Sequence, residues 1–124
     1  MAITQAVANS FKKEILEGIH DLESGGDVFK LALYKSTATL SAATTAYITG
    51  GEVSASGQYA AKGGTLASQQ TSLAASGVAI VDFADLSFTG VTLTARGALV
   101  YNSTEANKAV CVLDFGSDKT ATSG

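Results

Sequence analysis

Two short stretches of this sequence hold acids in a pattern that invites a chemical reading. "LDFGSD", residues 113–118, contains Asp-Phe-Gly, the triplet that holds magnesium in protein kinases, and "VDFAD", residues 81–85, nearly repeats it. In a kinase the triplet works only with a glycine-rich loop, a strand lysine and a catalytic loop. A chain of 124 residues with none of these is not a kinase. Asp82, Asp85, Asp114 and Asp118 offer enough oxygens for calcium, but no EF-hand loop or repeated calcium motif surrounds them. The plainer reading is that Asp82 and Asp114 close two strands in the same phase, at the same rim of one sheet, and accept backbone hydrogen bonds at turns. No metal and no cofactor is expected.

The other reactive side chains are few. Arg96 is the only Arg and falls inside the apolar run "VTLTARGALVY", out of phase with Ala95, Gly97 and Leu99. A lone guanidinium there needs a partner, because breaking a buried pair costs about 3–5 kcal/mol. Asp82 or Asp114 is expected to supply a structural ion pair, within or between subunits. His20 and Cys111 are each the only residue of their type, so a disulfide within the chain and a two-His or thiolate zinc site are excluded. His20 reads as a surface residue at a helix end, favoured by the helix dipole, and Cys111 as a small buried hydrophobe. "GQYAAKGG" has no Ser or Thr after its Lys, unlike a phosphate-binding loop. Glu52 and Asp82 form no recognisable glycosidase pair, since any acidic chain offers such pairs. No catalytic residue is expected, and the reading is that of a non-enzyme.

Composition narrows the partners. Charged residues make up 15% of the chain, against roughly a quarter in an ordinary domain. A surface this poor in charge is one that partners cover. The net charge is -3, with the lysines scattered, so the clustered positive charge that phosphate contacts need is missing and nucleic-acid binding is not expected. With no Trp and 7% aromatics, base-stacking platforms are not expected either. The N-terminal segment lacks the charge and apolar run of a signal peptide. No stretch approaches the roughly 20 apolar residues of a membrane span. Synthesis in a cytosolic setting, without membrane partners, is the expectation.

The elements that would position these residues fit one domain over 1–124. Ile3, Val7, Phe11 and Ile15 recur every fourth residue, which predicts an amphipathic helix or N-terminal arm over 3–22. Thr4 is its expected N-cap, and Gly25 and Gly26 lie beyond its end. A β body over 27–124 follows. "DVFKLALYKS" alternates, with Phe29, Leu31 and Leu33 on one side and Lys30, Ala32 and Tyr34 on the other, and predicts a half-buried strand. Residues 36–77 are rich in Gly, Ser, Thr and Ala and are expected to be mostly irregular, a contact surface rather than a core. Short strands at 47–49, 52–53 and 65–67 fit within this excursion. Strands are predicted at 78–83, 91–101 and 109–115, with both faces apolar, as in central strands covered on both sides. The fold class is mainly β, a small sandwich or barrel-like sheet, with one N-terminal helix.

Several segments also carry a resemblance. "TQAVANSFKKEILEGIHDL", "FKLALYKSTATLSAATTAY", "AIVDFADLSF", "TARGALVYN" and "AVCVLDFGSDKT" together resemble a family of small structural proteins of tailed bacteriophages, over nearly the whole chain. "FKLALY", "TARGALVYN" and "VLDFGSDK" are the most specific pieces. The family offers no catalytic residues to transfer. The resemblance implies a place in the virion, with synthesis in the host bacterial cytoplasm. The expected role is a capsid decoration or cement protein touching the major capsid protein and sister copies, held by many weak contacts. Phe11, Ile15, Tyr47 and Tyr59 are the expected interface residues. The alternatives are a tail, baseplate or head-to-tail component and, third, a carbohydrate-binding adhesion module, for which only four Tyr are available as sugar platforms. Members of the family continue past the "DFGSDKT" segment with a further strand, whereas this sequence ends at "ATSG". An open edge at the last strand, able to pair with a neighbour, is therefore expected.

Overall fold

The computed structural model describes residues 2–124. Eight elements follow in order: β1 (Ala6–Val7), α1 (Asn9–Leu16), β2 (Phe29–Tyr34), β3 (Gly64–Thr65), β4 (Gln70–Ala75), β5 (Val78–Asp82), β6 (Leu93–Asn102) and β7 (Lys108–Ala121). The chain is mainly β with one short helix, as the sequence predicts. A five-stranded antiparallel sheet has the order β1-β7-β6-β2-β3, and β4 and β5 form a separate two-stranded sheet.

The strands of the large sheet alternate, but the face expected to reach water is the more deeply buried one. Ala32 stands opposite Leu99, and Leu99 opposite Val112. These residues, with Tyr34 and Tyr101, form a core covered by Ile3, Ala8, Ala38 and Leu40. Burying a Leu or Phe side chain stabilises by about 1.5–3 kcal/mol, so this face dominates the packing. On the opposite face Phe29, Val100 and Leu66 are buried, with Leu22, Leu31, Phe83, Leu86, Val110 and Cys111 partly covering them. A third cluster of Val53, Tyr59, Val91 and Ala95 closes the end of the sheet, backed by Phe88 and Phe115.

Three expectations about the elements are corrected. The helix spans only Asn9–Leu16, not 3–22. The periodic residues before it are used in extended backbone instead. Ile3 bridges Leu40, and Ala6 and Val7 pair with Val112 and Cys111. Sheet hydrogen bonds thus replace the first two helical turns, and the N-cap is Ala8, not Thr4, with no side-chain cap. The 36–77 excursion is mostly irregular, yet it is not chiefly surface. It sends Ala38, Leu40, Val53, Tyr59 and Leu66 into the cores. Tyr59 is only 1% exposed, so it is a core residue rather than an interface residue. The excursion also contains β4, which has no counterpart among the predicted strands.

The third correction concerns "VAIVDF". It is not a central strand: β5 pairs only with β4, and both are exposed along their whole length. The "LDFGSD" stretch does not end a strand either. β7 continues through it to Ala121, paired with β6. Asp82 and Asp114 therefore lie in different sheets and do not share a rim. Between the pairs Gly97–Asp114 and Ala95–Lys119, Arg96 alone faces the bulged residues 115–118. Gly116 sits in that bulge at a φ of 81°, a left-handed conformation that glycine adopts without penalty.

Candidate functional site

The bulge of β7 decides what Arg96 does. It swings Asp118 back, so the guanidinium lies 3.8 Å from Asp114 and 3.6 Å from Asp118. The expected pairing with Asp114 forms, and Asp118 takes the place assigned to Asp82. The Arg96 side chain is 37% exposed, so it is not a buried charge, and the pair stabilises by about 0–1 kcal/mol. Asp114 also accepts the Gly116 amide at 2.9 Å, fixing the bulge. Asp82 and Asp85 are exposed. Among the described residues no three His, Cys, Asp or Glu side chains converge to hold a metal. No helix among them is long and apolar enough to cross a membrane. Burial pushes the Cys111 thiol up from its ordinary value, which disfavours the nucleophilic thiolate.

Two polar networks tie the loops to the sheet. His20 is buried, contrary to its reading as a surface residue. It lies against the rings of Phe11 and Phe29 at 4.8 and 6.3 Å. Its Nε2 meets Glu14 at 2.8 Å and its Nδ1 meets the side-chain nitrogen of Asn102 at 3.0 Å. That nitrogen also donates to Asp27 at 2.8 Å, while the Asn102 oxygen accepts the Thr104 and Glu105 amides. Because the Asn102 oxygen faces two N–H donors, its nitrogen must face the ring. Nδ1 is then the acceptor and Nε2–H donates to Glu14.

The second network gathers the tyrosines around Glu52. The hydroxyls of Tyr47 and Tyr59 both donate to its carboxylate, and the Lys62 amide joins them at 2.7 Å. Tyr34 donates to the Ile48 carbonyl at 2.6 Å, and Tyr101 to the Lys62 carbonyl at 2.5 Å. Burial, helped by the Glu52 charge, raises all four phenols, Tyr101 to about 12. They remain protonated donors at neutral pH. Tyr59, buried at 1% exposure, serves to hold the 47–62 segment on the sheet, and the part-buried Tyr47 joins it through Glu52.

The most unusual surface is elsewhere. A cleft of about 660 Å³ opens between α1, the Leu31–Val100–Cys111 face of the sheet and the β4–β5 hairpin. Phe11 and Ile15 line it, beside Phe83 and Val81, and Thr71 and Cys111 are its least apolar members. These two of the four expected interface residues therefore meet at one site. The hairpin that walls the cleft is firmly rooted. Gln69 donates to the Glu23 and Asp27 carbonyls at 2.8 and 3.0 Å, the Ala84 amide donates to the Ala67 carbonyl, and Phe83 packs on Phe29. Beyond that root the hairpin is bare: Leu73 is 80% exposed, and Val78, Ile80 and Val81 are also exposed. Between Lys62 and Asp82 the sequence contains no charged residue. That run, together with the two-faced apolar pattern of "VAIVDF", is the signal in the sequence that marks this surface.

In comparison with known proteins, the chain matches no family model, no curated protein and no solved structure.

Proposed function

We propose that this chain is a non-enzymatic structural subunit of a tailed-bacteriophage particle, acting on the head as a decoration or cement protein. One observation carries the assembly part of this reading: an apolar cleft and a hairpin whose single charge is Asp82, at the end of β5, stand side by side, both uncovered. Solvent-exposed ribbons normally carry charges that prevent edge-to-edge association. A contiguous apolar surface rimmed by polar residues marks a contact site. The phage part rests on the resemblance of "FKLALY", "TARGALVYN" and "VLDFGSDK" to phage structural proteins. The major capsid protein and sister copies are the partners that this role implies.

The test is to purify the particles that encode the chain, identify the protein in them by mass spectrometry and locate it by reconstruction. Density for this fold at repeated positions on the outer head surface supports the decoration role. A single ring at the neck or tail moves the chain to the connector or tail class. Its absence from particles overturns both, and clear binding on a glycan array would favour an adhesion module instead.

A further inference from the structure

The β4–β5 hairpin has two unlike faces. Cross-strand partners share a face, and the register sets Thr71 opposite Val81 and Leu73 opposite Ala79. Phe83, two residues beyond Val81, continues that face and packs on Phe29 at 6.0 Å. Thr71, Ala79, Val81 and Phe83 all line the apolar cleft. Gln70, Ser72 and Asp82 take the opposite face with Ile80, and border a polar hollow beside Glu23 and Ser24. The apolar face therefore looks toward the body of its own chain, and the more polar face looks away from it. The apolar face also runs past the wall that it forms. Leu73, the next residue after Thr71 on that face, lies outside the cleft and is 80% exposed. On the facing rim, Val7 and Ile15 line the cleft and are exposed as well.

We infer that the β4–β5 hairpin is a strap that closes over the cleft of its own chain, seating Leu73 against Val7 and Ile15. Its root is fixed. Gln69 donates to the Glu23 and Asp27 carbonyls, and the Ala84 amide donates to the Ala67 carbonyl. Beyond the root the ribbon has two strands and no third to stiffen it, so it is free to bend. Closure takes apolar surface on both rims out of water, which favours it. It buries no charge. No Asp, Glu, Lys or Arg lines the cleft, and Asp82 stays on the outward face with Gln70 and Ser72. The strap is also tethered beside the surface that it covers, so it reaches that surface at an effective concentration that a dilute partner does not match. Closure covers a strand face, which pairing at the free edge of β5 would leave bare. The closed strap hides in the free chain the surface that the assembly role needs open, and this consequence alone rests on that reading.

The chain contains no Trp, so one introduced indole reports its own surroundings. Leu73→Trp and Ser72→Trp place it on the two faces of the purified full chain, at positions that are both exposed in the open arrangement. The expected result is blue-shifted emission and protection from acrylamide for Leu73→Trp, unchanged on dilution where the chain sediments as a monomer. Ser72→Trp should emit and quench as an indole in water. Cys111 lines the cleft and gives a second readout without Trp. N-ethylmaleimide should alkylate it about tenfold more slowly in the wild type than in Leu73→Lys, a ratio equivalent to about 1.4 kcal/mol of protection. A Leu73→Trp indole as accessible as that of Ser72→Trp overturns the strap. So does protection that disappears on dilution, which would mean that a second copy is the cover, and so do equal Cys111 rates in the wild type and Leu73→Lys. These measurements use the free chain, so the strap and the virion role fail separately: absence from particles sinks only the second.

Discussion

The side-chain amide of Asn102 donates to the imidazole of His20 across 3.0 Å, joining the end of β6 to the segment that follows α1. Asn102 is fully buried, and its two N–H groups and its oxygen are all used, on His20, Asp27, Thr104 and Glu105. Asn102→Asp keeps the shape but removes both donors and sets a carboxylate against Asp27. Each buried group left without its partner costs about 1–3 kcal/mol. The variant should unfold at clearly lower urea concentration than wild type, with an unchanged denaturant slope. An unchanged midpoint would mean that this network contributes nothing to stability.

The tyrosine network predicts an alkaline limit to stability. Folding raises the four phenols above their ordinary value of 10, so the folded chain favours the protonated form. That contribution is complete below pH 10 and is lost as pH rises through the folded values, of which that of Tyr101 is about 12. Thermal stability should therefore fall progressively above pH 10. Glu52→Gln removes the charge that helps to raise these phenols. It should bring tyrosine ionisation, followed by near-ultraviolet absorbance, to lower pH. Burial is the larger cause, so the values should stay above those of free tyrosine.

Arg96→Ala should cost no more than about 1 kcal/mol, because its partners Asp114 and Asp118 are themselves part-exposed and solvent screens the pair. The difference from wild type should shrink further in high salt. A loss of 3 kcal/mol or more in chemical denaturation would show that the guanidinium is buried after all.

Gly63 tests the seat of the excursion on the sheet. Its φ is 81°, and a Cβ there would lie 1.9 Å from the Leu31 carbonyl oxygen. Gly63→Ala combines left-handed strain with a backbone collision, so it should destabilise by at least about 1–3 kcal/mol. Gly77, also left-handed but with open space around it, is the control. Gly77→Ala should show the conformational cost without the collision. Equal melting temperatures for the two variants would refute the close approach at Gly63.

Much of this architecture is legible in local pattern. The alternation in "FKLALY" and the apolar run "TARGALVYN" mark β2 and β6, because a strand's period of two is written in adjacent residues. The absence of paired Cys or His and the scarcity of charge are also visible directly. The sequence left Arg96 with two possible partners. The choice of Asp114, with Asp118 added, follows from a bulge whose register no local pattern specifies. His20 looked exposed because its partners Glu14 and Asn102 lie 6 and 82 positions away.

The sequence by itself determined that the chain is mainly β, that β2, β6 and β7 are strands, and that one stretch, "VAIVDF", is apolar on both faces with Asp82 as its single charge. Only the tertiary structure decided where that stretch lies. Periodicity records which faces want burial, not what buries them. Covering β5 depends on long-range packing, and in this chain the sheet is satisfied by the N-terminal segment and the 36–66 loops. "VAIVDF" is thus left standing out from the body, beside a cleft of its own chemistry.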